Sequence, residues 1–108
     1  MNLKMKEIKN LKIKNIEVGH YGEIIKIVFE SGIECLPEED TGGEHAYLVI
    51  DGYDLKVGDV ISFDYILDEY DCINNLEWIE VNDWSYRAWV ESGGGNDCTY
   101  LSFSNINV

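Results

Sequence analysis

The chain reads as a mainly β domain, a small antiparallel barrel or sandwich with at most one short helix, near residues 68–76. Three observations predict this. Apolar and polar residues alternate with a period of two over several stretches, the mark of half-buried strands. Clusters of Gly, Asn, Asp and Ser separate those stretches at short intervals, where tight turns need them. Thirteen aromatic residues and 45% hydrophobic content supply enough apolar surface to fill a core, and 108 residues are few enough that one core is expected. We therefore read residues 1–108 as a single domain, with 1–10 as a basic N-terminal arm.

The elements follow in chain order. A strand over about 11–18 leads through Gly19-His20-Tyr21-Gly22 into a second at 24–30, where Ile25, Ile27 and Phe29 share one face. Ser31-Gly32 turns the chain, and 33–36 continues as a short strand. The segment from Pro37 to Glu44 (PEEDTGGE) reads as a polar loop. Residues 45–50 form an apolar run closed by Asp51-Gly52. Over 60–67, Ile61, Phe63, Tyr65 and Leu67 lie on one face, opposite Ser62 and Asp64, which predicts a strand. Beyond it, Ile66, Leu67, Tyr70, Ile73 and Leu76 also fit a helical stripe, but Asp68, Asp71, Asn74 and Asn75 are poor helix formers, so 68–75 is read as a loop or short helix. Asn82-Asp83 turns a hairpin between 76–81 and 84–91. Ser92 to Asp97 (SGGGND) reads as a flexible hairpin loop before a last strand carrying Leu101 and Phe103 inward. At least two of Trp78, Trp84 and Trp89 are expected in the core.

One segment carries a resemblance. Leu55-Lys56-Val57-Gly58-Asp59-Val60-Ile61-Ser62-Phe63 resembles the turn-then-strand element of SH3-like and OB-like (oligonucleotide-binding) small barrels. In that reading Gly58 supplies a turn with positive φ, and the alternating run after it enters the barrel wall. The resemblance covers nine residues and speaks to fold.

Charge is the main clue to function. The net charge is −13, and it is unevenly placed: residues 1–14 hold five Lys against Glu7, whereas residues 15–108 hold Lys26, Lys56 and Arg87 against twenty acids. Such a body repels nucleic acid phosphates, so direct nucleic acid binding is not expected. Attraction to a basic protein surface is what the field favours. Two acidic clusters stand out. Glu38, Glu39, Asp40 and Glu44 fall in the first, and Asp64, Asp68, Glu69 and Asp71 form the second around Tyr70. Either alone is what a solvated face looks like. Together, in a body with three cations, they form the expected partner-binding surface, with Tyr70 and a Trp as aromatic anchors.

Other chemistries lack their signatures. Cys35, Cys72 and Cys98 with His20 and His45 show no short zinc-chelating spacing, and no acidic stretch matches a calcium loop, so no metal or cofactor is expected. No Ser lies in a nucleophile elbow, and Gly93-Gly94-Gly95 precedes a strand rather than a helix, so neither hydrolase chemistry nor a phosphate loop is indicated. The chain is not expected to be an enzyme. No apolar run reaches the roughly 20 residues of a membrane span. No export signal opens the chain, which points to the cytoplasm and reduced thiols. In composition the chain resembles the immunity proteins that neutralise nuclease toxins and the phage proteins that block host defences by imitating DNA charge. The resemblance implies an inhibitor of a basic nuclease or nucleic-acid-binding protein. The alternatives are a small barrel acting as an accessory module through its basic arm, and a calcium-binding domain.

Overall fold

The computed structural model describes residues 8–40, 45–93 and 98–106. They form nine strands: β1 (Leu11–Val18), β2 (Ile24–Phe29), β3 (Glu34–Glu39), β4 (Ala46–Ile50), β5 (Val60–Ser62), β6 (Cys72–Asn74), β7 (Trp78–Val81), β8 (Trp84–Ser92) and β9 (Thr99–Ser104). The described residues contain no helix, and every pairing is antiparallel, as the alternating pattern requires.

Six strands close a ring in the order β1-β5-β7-β8-β4-β2, with β2 returning to β1. β2 is the branch point. Its Ile24 pairs with Leu48 of β4, whereas Ile27 and Val28 pair with Cys35 and Glu34 of β3. From β3 the sheet continues to β9 and ends at β6, so a three-stranded flap β3-β9-β6 leans off the barrel. Ring and flap share one core, in which Phe63 meets Phe103 edge to face at 5.2 Å.

The alternation places side chains as expected in most strands. Ile27 and Phe29 are buried, as are Leu101 and Phe103 and the pair Ile61 and Phe63. In β1 the inward set is Leu11, Ile13 and then Ile16, because a register shift between Ile13 and Asn15 inserts one residue against β2. Gly58 adopts φ 96°, the conformation expected of it, and its N–H bonds Ile13 O at 2.9 Å. Asn82 and Asp83 both take positive φ and turn β7 into β8.

Several expectations are corrected. Pro37, Glu38 and Glu39 belong to β3 rather than to a loop. A proline is tolerated there because Asp40 N–H reaches Cys98 O, so even-numbered amides face β9. The missing amide of Pro37 therefore points away from β9, on a flank where the β2 pairing has already ended. The 60–67 ladder stops at Ser62, though Phe63, Tyr65 and Leu67 still turn to the core without it. Residues 72–74 form a short strand, not a helix. Residues 94–97 of the SGGGND segment lie outside the described residues, and the strands it joins are not hairpin partners: β8 pairs with β7 and β4, and β9 with β3 and β6. None of the three Trp enters the core. Trp84 is 71% exposed at the turn end of its hairpin, Trp78 is 50% exposed on the outer face of β7, and Trp89 is partly buried on the outer face of β8. Of the expected arm, residues 8–10 join the fold: Ile8 is buried, and its carbonyl accepts from Phe63 N–H.

Candidate protein-binding surface

The outer face of β3-β9-β6 is built by strand parity. Cys35, Pro37, Leu101, Phe103 and Ile73 turn inward, so Leu36, Glu38, Tyr100, Ser102 and Asn74 turn outward. Register then fixes a row across the three strands, with Tyr100 between Glu38 and Asn74. Asn74 extends the row by donating from Nδ2 to Asp68 Oδ2 at 3.0 Å.

Acids of the two clusters, Glu38 of the first and Asp68 of the second, some thirty residues apart in sequence, are thereby brought to one face. Burial first, then the neighbouring charges of Asp68, Glu38 and Asp71, pushes the Cys72 thiol above its ordinary value. Burial, then Glu38 and Asp40, does the same to the Tyr100 hydroxyl. Cys72 thus sits in the field of both clusters and Tyr100 in that of the first, and negative charge opposes their ionisation.

Not every expected residue serves this surface in the same way. Glu38 and Asp40 are exposed, as are Glu69 and Tyr70 at the tip of the 68–71 turn. Asp68 shapes that turn, its Oδ1 accepting from the N–H groups of Tyr70 at 2.9 Å and Cys72 at 3.0 Å. Asp71 sits at φ 61°, and its carbonyl accepts from Phe103 N–H. Glu39 is 8% exposed and turns inward, so it does not present its charge outward as expected. Asp64 faces Lys9 at 3.6 Å, apart from the others. Glu44 lies outside the described residues.

Four of the described cations are engaged elsewhere. Lys26 lies 3.1 Å from Glu34 and 3.7 Å from Glu17, Lys12 faces Glu30, Lys56 faces Asp59, and Arg87 lies over the Trp78 ring. Among the described residues no Lys or Arg pairs with Glu38 or Asp40.

Beside the acidic row runs a groove of about 400 Å³, lined by Asn74, Leu76, Trp89, Val90, Thr99 and Tyr100, among others. Thr99 Oγ1 donates to Val90 O at 3.0 Å, and Trp89 Nε1 donates to Glu91 Oε1 at 2.9 Å, which fixes the indole. Sequence reading named Trp89 but missed Tyr100. The signal was present, because Leu101 and Phe103 facing inward puts Tyr100 outward. A second hollow of about 310 Å³ is lined by Asn10, Val60, Ser62, Glu80, Asn82 and Asp83, and several of its polar groups bond one another. All three cysteines are free thiols, and burial pushes that of Cys35 far up. Among the described residues no group of three or more His, Cys, Asp or Glu is placed to hold a metal ion.

No protein-family model, curated protein or solved structure matches this chain.

Proposed function

We propose that the protein is an acidic inhibitor that binds a basic protein, a nuclease or nucleic-acid-binding protein, through the outer face of β3-β9-β6. It would serve as a toxin-immunity protein or as an anti-defence mimic of DNA charge. One observation carries the reading: acids from two distant segments converge on one face, and among the described residues no Lys or Arg pairs with Glu38 or Asp40. In this mechanism carboxylates occupy the positions that phosphates take over the partner's Lys and Arg side chains. Opposed fields speed encounter, and tyrosine and tryptophan contacts slow departure.

Association with immobilised basic nuclease domains, measured across a salt series, tests this. The expected association rate falls at least about tenfold from low to physiological ionic strength. The double variant Glu38→Lys/Asp40→Lys is expected to lose that dependence and most of the affinity. A rate indifferent to salt, or a charge-reversed variant binding as well as the parent, would remove the basis of the proposal.

A further inference from the structure

We propose that the groove between β8 and β9 seats an arginine side chain of the basic partner, its guanidinium against the Trp89 and Tyr100 rings and facing the Glu38 and Asp40 carboxylates. This rests on the binding reading above and makes it specific: the groove selects arginine over lysine.

Three observations on independent side chains converge. Leu76, Val90, Trp89 and Tyr100 give the groove an apolar side along which a stem would lie, beside the polar Asn74, Asn75 and Thr99. The charge beside its Tyr100 wall has one sign. Glu38 is the cross-strand partner of Tyr100, and both Glu38 and Asp40 act on the Tyr100 hydroxyl. Glu91 fixes the Trp89 indole, and strand register sets Tyr100 between Glu38 and Asn74. A further feature keeps this wall open. Ala88 N–H is taken by Glu77 O, but beyond Ala88 no strand among the described residues pairs with this edge of β8.

The chemistry of the occupant follows. An aromatic-walled groove with carboxylates at its rim suits a cation whose faces stack and whose edge donates hydrogen bonds. A guanidinium does both, being planar and weakly hydrated. An ammonium carries the same charge but holds its water and offers no face to stack. Acidic charge alone would treat the two alike, so preference for arginine separates the groove from the face.

The probes are two labelled nine-residue peptides of equal charge, one alternating Arg and Gly, the other Lys and Gly, titrated by fluorescence anisotropy at low salt. The Arg peptide is expected to bind the parent protein about three- to tenfold more tightly. Trp89→Leu or Tyr100→Leu should weaken the Arg peptide more than the Lys peptide and so bring the two affinities together, and far-UV circular dichroism checks the fold of each variant. Comparing the two peptides on the unaltered protein needs no variant, so a misfolded mutant does not spare the proposal. Equal affinities, with both weakened by Glu38→Gln/Asp40→Asn, would overturn the arginine seat and keep the acidic-face reading. Affinities insensitive to Glu38→Gln/Asp40→Asn, or no binding of either peptide, would overturn both.

Discussion

Asp59 shows how one side chain can matter more than its place in the sequence suggests. Among twenty-one acids nothing singles it out, yet it is 4% exposed and binds three partners: Tyr53 Oη at 2.9 Å, Lys56 N at 3.0 Å and Asn82 Nδ2 at 3.0 Å. The carboxylate thus ties the 53–59 turn to the turn of the β7–β8 hairpin. Burial alone would raise its pKa. The hydrogen bonds from Asn82, the Lys56 amide and Tyr53, with the Lys56 charge, outweigh burial and hold it below the ordinary value. The folded pKa is the lower one, so the stabilisation is complete above the unfolded value of about 3.9 and is lost as pH falls through the folded value. Asp59→Ala is expected to destabilise by about 2–3 kcal/mol in urea unfolding at neutral pH, since it strands buried donors. Asp59→Asn should cost less and flatten the loss of stability in acid. An unchanged acid limb would show that other carboxylates set it. Glu23 adds to that limb. Its own backbone amide holds its carboxylate low against burial, helped by Tyr21 N–H and by His45 at 2.8 Å.

Among the elements, the β7–β8 hairpin is where local chemistry and fold agree most closely. Asn82 and Asp83 take φ 52° and 70°, the mirror-image turn that matches strand twist. Asp83→Gly is therefore expected to stabilise by about 0.5–1 kcal/mol, because glycine carries no left-handed penalty. Asn82→Gly keeps the backbone but loses two bonds, Oδ1 to Val60 N and Nδ2 to Asp59 Oδ1, each 3.0 Å. It should destabilise by about 1–2 kcal/mol despite favourable φ. Urea midpoints of the two variants, moving in opposite directions, check this. β3 is the contrasting element. Its sequence ECLPEE has a proline and three acids, which argue against a strand by composition, and it forms one because β9 pairs along its whole length. Strand propensity gives way to context here.

For the whole molecule the dominant quantity is charge held in a small volume. A radius of gyration of 13.3 Å confines a net −13, while the exposed ion pairs that could offset it are few and weak. Raising ionic strength from about 0.01 M to about 0.15 M shortens the screening length from about 30 Å to about 8 Å. Repulsion is thereby reduced more than the short ion pairs are. Stability at pH 7 is expected to rise by roughly 0.5–1 kcal/mol, or about 2–8 °C in melting temperature. A fall in melting temperature with added salt would mean that Lys26 with Glu17 and Glu34, and the other pairs, outweigh the repulsion.

What the sequence determined by itself is local: a mainly β fold, most strand positions, the faces of β2 and β9, the turns at Gly58 and Asn82-Asp83, and the acidity of the body. Alternation and turn chemistry act over a few residues, so they can be read along the chain. Only the tertiary structure decided which strands are neighbours, and with that the meeting of Glu38 and Asp40 with Asp68 and Asp71, the inward turn of Glu39, the outward Trp side chains and the groove beside Tyr100. Strand pairing is made by backbone groups common to every residue, so side chains hold little record of which distant strand lies alongside.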